Sequence, residues 1–190
     1  MSERINLQQF CFKNETRWYI AKPWRRGPFT YATNGHICVR VDAIDTDEEQ
    51  SQAPNPEAIL SMHPNPLFAP LRAILPDTPR KMCETCGGSG IWLDDPYPGA
   101  YITCEACDGE KTIEVAQSVL IGSAYFSSKY IAQISALPGA EFPTNPAPAA
   151  GPRDTIPTPF RFAGGIGCIM PMKGEGKVHL GDLDQFRVTP

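Results

Sequence analysis

The chain has 190 residues, 42% hydrophobic and 20% charged, with a formal net charge of −4. That length suits one ordinary domain burying roughly 70% of the surface its unfolded chain would expose, and the composition excludes a wholly disordered chain. The negative balance gives no global attraction to nucleic acid, whose binding draws chiefly on phosphate neutralisation, and no apolar run approaches the ~20 residues of a membrane span.

Proline, at 20 residues, is about twice as frequent as usual. It breaks helices and donates no ladder hydrogen bond, so much of the chain is expected to be ordered loop. The N-terminus, MSERINLQQF, is charged early and lacks the apolar core of a signal peptide. The expectation is a cytoplasmic protein, where disulfides are rare and paired CxxC units read as metal ligands.

Residues 5 to 42 read as β. Phe29 to Thr33 is strand-like and precedes Asn34-Gly35, a pair favoured in type I′ turns. His36 to Asp42 then alternates, with Ile37, Val39 and Val41 on one face and Cys38, Arg40 and Asp42 on the other. Residues 44 to 57 are acidic and polar, an exposed loop. Residues 57 to 76 predict one or two short helices around Leu67, Leu71 and Leu75, interrupted by prolines. After the cysteine-rich stretch, Ile113, Val115, Val119 and Ile121 alternate as one long strand. Ser127 or Ser128 can cap a helix that places Tyr130, Ile131, Ile134 and Leu137 on one side and stops at Pro138-Gly139. Residues 138 to 159 predict an extended, proline-rich loop. Phe160 to Phe162 and Ile166 to Met170 flank Ala163-Gly164-Gly165 as a second hairpin, and residues 177 to 190 read as a tail. The resulting division is 1–80, an insertion at 81–111, 112–176 and 177–190.

The insertion carries Cys83, Cys86, Cys104 and Cys107 as two CxxC units. This spacing fits a four-cysteine zinc site. A CxxC turn brings two sulfurs to one ion, and the glycines that follow let backbone N–H groups turn toward the thiolates. Four thiolates at about 2.3 Å close the tetrahedron and leave no position for water or substrate, so a single structural Zn²⁺ is expected. Two disulfides, free thiols or an iron–sulfur cluster are the competing readings.

Cys83 to Gly90 resembles the CxxCxGxG unit of the DnaJ-type chaperone zinc domain. Cys104 to Gly109 matches it in part, with Lys111 where the last glycine would stand. The resemblance implies a zinc hairpin with one ion, not chaperone activity, since no J-domain motif is present. Elsewhere, Asn14 to Tyr19 and Ala32 to His36 resemble the opening strands of the bacterial DNA polymerase III beta sliding clamp. Tyr130 to Gly139 is placed like a clamp helix, and Gly167 to Lys173 is similar to the strand that closes a clamp. This implies an α+β, antiparallel-sheet, single clamp-like domain carrying the zinc hairpin as an insertion. The combination also looks like uncharacterised proteins of tailed phages and prophages.

Other candidates are few. Lys22, Trp24, Arg25 and Arg26 form the one basic–aromatic cluster, a candidate contact for nucleic acid or a partner. A solvated hairpin loop around a partly buried tryptophan is the favoured reading of the same residues. Cys11, Cys38 and Cys168 sit in apolar, strand-like surroundings and read as small hydrophobes. His36 reads as structural, and the glycines from 164 to 167 read as a hairpin turn, not a phosphate loop. No catalytic set is visible. The expectation is a non-enzymatic, zinc-containing binding or adaptor protein, phage-encoded, acting on a protein of the replication or host-defence machinery. The alternative is a DNA-binding, clamp-like processivity factor assembled from several copies.

Overall fold

The computed structural model describes residues 5–12, 15–42, 53, 55–60, 66–71, 79–92, 102–115, 117–150 and 155–173. The expected acidic loop falls largely outside them, as do Leu75 and the tail at 177–190. The chain divides into two compact units, one formed by 1–75 with 118–190 and the other by 76–117. Two 3-10 turns, Leu7–Phe10 and Glu15–Ile20, come first. Then follow β1 (Trp24–Arg26), β2 (Phe29–Thr33), β3 (Ile37–Val41), α1 (Glu57–Leu60) and β4 (Phe68–Pro70). The second unit holds β5 (Arg80–Met82), β6 (Ile91–Trp92), β7 (Ile102–Thr103) and β8 (Thr112–Glu114). The chain returns to the first unit with β9 (Ser118–Ile121), β10 (Ala124–Ser127), α2 (Ser128–Ser135), β11 (Glu141–Pro143), β12 (Thr158–Phe162) and β13 (Gly165–Ile169). This is a mainly antiparallel, α+β-like architecture with few helices.

The first unit is built on a seven-stranded sheet in the order β1-β2-β3-β13-β12-β11-β4. Its register follows from the alternation along β3. Ile37, Val39 and Val41 enter the main core, and opposite them on β13 stand Ile169, Gly167 and Gly165. The two glycines on that face have a packing cause. A Cβ at Gly167 would collide with the ring of Phe160, and one at Gly165 with the ring of Phe162, the residues paired with them on β12. Both phenylalanines are buried in the space the missing side chains leave. α2 adds Ile131 and Ile134 to the same core, Leu137 just beyond its end joins them, and Phe126 meets Phe142 edge to face at 5.3 Å between centroids. Each such side chain contributes about 1.5–3 kcal/mol on full burial. Ser127 holds the position before the helix but makes no side-chain capping bond, so packing of the apolar face carries α2.

The other face of the sheet carries a smaller cluster of Ile20, Trp24, Tyr31 and Ala53. α1 is fastened to it by polar contacts. The Tyr31 hydroxyl donates to Glu57 Oε1 at 2.6 Å, and Arg40 lies 3.3 Å from the same carboxylate. The Arg40 guanidinium also stacks over Phe29 at 4.1 Å.

Five expectations need correction. The β reading of residues 5 to 42 holds only from Trp24 onward, since Leu7–Phe10 and Glu15–Ile20 are 3-10 turns. The β2–β3 turn is centred on Gly35-His36, not Asn34-Gly35. Thr33 pairs with Cys38, Asn34 N–H donates to Ile37 O at 3.4 Å, and of these turn residues only Gly35 has positive φ, +89°. That is the II′ pattern. Asn34 instead uses its side chain, whose Oδ1 accepts from the N–H groups of His36 and Ile37. The stretch around Leu67 is β4, not helix. Leu67 is 81% exposed, and Phe68 to Pro70 pair with β11. The alternation from Ile113 to Ile121 is two strands. β8 pairs with β5 in one unit, whereas β9 pairs with β10 in the other. Finally, the 138–159 loop contains β11, which bridges β4 and β12. Period-two patterning reports which face a side chain takes; it does not report the partner strand.

Candidate metal centre

Among the described residues, the second unit has almost no apolar interior. Its buried cluster consists of Cys83, Cys104 and Cys107, with Cys86 and Ile113 packed against them. The four sulfurs all lie within 4.8 Å of one another. Cys83 Sγ is 3.9 Å from Cys104 Sγ, and Cys86 Sγ is 3.8 Å from Cys107 Sγ. These separations are far beyond a disulfide bond, about 2.05 Å. They match the edge of a tetrahedron with bonds of ~2.3 Å, about 3.8 Å. The group can therefore hold one metal ion.

The local sequence explains the geometry. Each CxxC is followed by a turn that bends back onto its own first cysteine: Gly88 N–H donates to Cys83 O at 3.1 Å, and Gly109 N–H to Cys104 O at 3.3 Å. Three backbone positions after each CxxC need positive φ. In the first turn they are Gly87, Gly88 and Gly90; in the second, at the same offsets, they are Asp108 (+54°), Gly109 (+77°) and Lys111 (+67°). Lys111 thus adopts the conformation of the glycine it replaces.

The two turns are related by a local twofold. Cys83 N–H donates to Lys111 O at 2.9 Å, and Cys104 N–H donates to Gly90 O at 3.0 Å. The ribbons obey the same relation. Met82 pairs with Thr112 as Thr103 pairs with Ile91, and Lys81 with Ile113 as Ile102 with Trp92. Around the sulfurs, Gly90 N–H approaches Cys86 Sγ at 3.3 Å. Burial raises the Cys86 thiol, but this N–H, the Cys83 side chain and the Gly88 N–H outweigh it and bring it down to about 6. At Cys107 burial prevails and pushes the thiol up to about 11. A dication at the centre would favour the thiolate form of all four. Outside the sulfur cluster, Arg80 pairs with Glu110 at 2.6 Å and Lys81 with Glu84 at 2.8 Å, both on the surface.

Compared with family models, curated proteins and solved structures, the chain matches none of them.

The basic–aromatic cluster is broken up by the fold. Trp24 is fully buried and stacked on Tyr31 at 5.9 Å, so its ring is closed to a base or a partner. Lys22 and Arg26 are exposed and Arg25 is half-buried, on or beside the edge strand β1. Among the remaining cysteines, Cys11 donates to Leu7 O at 3.7 Å inside the core, and burial pushes its thiol up to about 12. Cys38 and Cys168, read from sequence as separate small hydrophobes, are brought face to face on β3 and β13. They line a cleft of about 420 Å³ in the first unit, together with Arg17 and His36. The alternation around Cys38 signalled its face, but nothing local signalled its partner 130 positions away in the chain.

No helix among the described residues is long and apolar enough to cross a membrane.

Proposed function

We propose that this chain is a non-enzymatic binding protein in which one zinc ion, held by Cys83, Cys86, Cys104 and Cys107, keeps residues 76–117 folded as an interaction element. The observation that carries this reading is the closed set of four sulfurs with pair separations of 3.8 and 3.9 Å. Zinc is the ion of choice for such a set because it accepts a tetrahedron of thiolates without electronic preference. Four thiolates leave no open position, so the ion serves folding and not turnover. The partner in this reading is a protein of the replication or host-defence machinery in a phage-infected bacterial cell, and its phage origin and clamp-like sheet rest on the sequence resemblances alone.

Native mass spectrometry of the purified chain tests the metal: one zinc per chain is expected, and iron, two ions or none would overturn it. Paired affinity capture with the wild type and with Cys83→Ser/Cys107→Ser tests the interaction. A partner held by the wild type and lost by the variant is expected; no partner, or equal capture by both, contradicts the role.

The second reading is a DNA-binding, clamp-like processivity factor. Exposed Lys22 and Arg26 beside β1 favour it, although buried Trp24 offers no stacking surface. It requires a ring of several copies and affinity that falls steeply with salt. A monomer without such affinity removes it.

A further inference from the structure

In the sheet, Cys38 stands directly opposite Cys168. Two residues further along, Met170 N–H donates to His36 O at 2.8 Å. By the two-residue period of an antiparallel ladder, Cys38 and Cys168 are therefore also a hydrogen-bonded pair, with Cα atoms about 5.5 Å apart. That lies inside the roughly 4.4–6.8 Å that a disulfide spans. Both residues are free cysteines, and the neighbouring Cys168 thiol, together with burial, holds the Cys38 thiol well above its ordinary range. Unlike Cys11, which is shut in the core, both line the 420 Å³ cleft. The cleft pairs an apolar wall of Ile20, Ile59 and Met170 with the cation of Arg17. No carboxylate among the described residues pairs with that guanidinium, which lies over the ring of Phe12 at 5.2 Å.

We propose that Cys38 and Cys168 form a dithiol that a small, carboxylate-bearing disulfide entering the cleft oxidises to an internal disulfide. Cys38, the more exposed of the two at 8% against 4%, reacts first. Because its thiol is held protonated by Cys168 and burial, Cys38 reacts through the minor fraction that has lost its proton to solvent. That thiolate attacks one sulfur of the incoming disulfide, the S–S bond breaks, and the departing sulfur leaves with the electron pair and takes up a proton. The sulfur of Cys168 then attacks Cys38 Sγ in the mixed disulfide and expels the second small thiol, which takes the second proton. Two protein thiols are oxidised, and one small disulfide is reduced to two thiols. Arg17 attracts the carboxylates, and the opposed register keeps Cys168 beside Cys38 for the second step. The bond ties β3 to β13 at the centre of the sheet and alters the floor of the cleft.

The test uses the full-length, metal-replete protein with oxidised glutathione, quenched by alkylation and mapped without reduction. The expected product is a peptide cross-linked through Cys38 and Cys168, with Cys11 still alkylatable after denaturation. Cys168→Ala should stop at a stable glutathione adduct on Cys38. Cystamine, a cationic disulfide, should react several-fold more slowly, and Arg17→Ala should abolish that preference. Recovery of Cys38 and Cys168 as free thiols in the oxidised wild type, or cross-links confined to Cys83, Cys86, Cys104 and Cys107, would overturn the proposal. Equal rates for the two disulfides would overturn the assignment of a carboxylate-bearing oxidant. The mapping of the wild type decides the main point even if a variant fails to fold.

Discussion

The two units of this protein solve the same problem with different means. The first buries a continuous apolar core beneath a seven-stranded sheet, with Phe126, Phe142, Phe160, Ile131, Ile134 and Ile169 all nearly inaccessible. Among the described residues, the second has four sulfurs and Ile113 at its centre. A unit of that size cannot offset its chain entropy with apolar burial, and its two ribbons each contain only short strands. What the first unit draws from packing, the second would draw from ligand bonds. The difference predicts that the two can be unfolded separately.

The largest expected effect is metal removal. Binding free energies of structural zinc are about 10–16 kcal/mol and are coupled to folding. Chelation, or Cys104→Ser, should make 80–92 and 102–114 protease-sensitive while β2, β3, β12 and β13 stay protected from hydrogen exchange. Simultaneous loss of protection in the sheet would show that the units are not independent. The converse test is Phe126→Ala, which should cost the first unit about 3–5 kcal/mol in denaturant midpoint and leave zinc stoichiometry at one.

Within the metal unit, backbone conformation ranks next. At Gly90 a Cβ would stand 2.6 Å from Gly109 O, on a residue with φ +80°. Gly87 has φ +58° but open space around it. Gly90→Ala should therefore weaken zinc binding more than tenfold, whereas Gly87→Ala should cost only the left-handed conformation, about 1–2 kcal/mol. Competition with a chromophoric chelator measures both. Lys111→Gly reverses the sign: it removes a side chain from φ +67° and should tighten the site by about 1 kcal/mol. An unchanged affinity would mean that the Lys111 backbone relaxes at no cost.

The smallest effect belongs to the first unit's second face. Tyr31→Phe removes the hydroxyl that donates to Glu57 and should destabilise by about 1 kcal/mol. It should loosen α1 without touching the metal unit.

Much of both units was legible from residue patterns. CxxC spacing predicted that Cys83, Cys86, Cys104 and Cys107 meet in a group able to hold one ion, because the geometry is local: a turn of four residues sets each pair, and the glycines mark where φ must be positive. The same locality made the β2–β3 and β12–β13 hairpins and the apolar side of α2 readable. Misreadings arose where a pattern was right and its partner unknown. The alternation from Ile113 to Val119 continued across a boundary between units. The prolines around Leu67 suggested a broken helix where an edge strand forms, since Pro70 at the sheet edge has no ladder bond to lose. Trp24, favoured from sequence as partly buried beside Arg25 and Arg26, is fully buried against Tyr31.

The sequence by itself determined which four cysteines could share a metal ion, where the two hairpins lie and the face each strand residue takes, because these depend on neighbours within a few positions; the centre of the β2–β3 turn it did not. Tertiary structure alone decided that β3 lies beside β13. That pairing sets Gly165 and Gly167 next to Val41 and Val39 and brings Cys38 opposite Cys168 at the floor of a cleft. The reason is physical: strand pairing is chosen by burial summed over the whole sheet, and no single segment contains that sum.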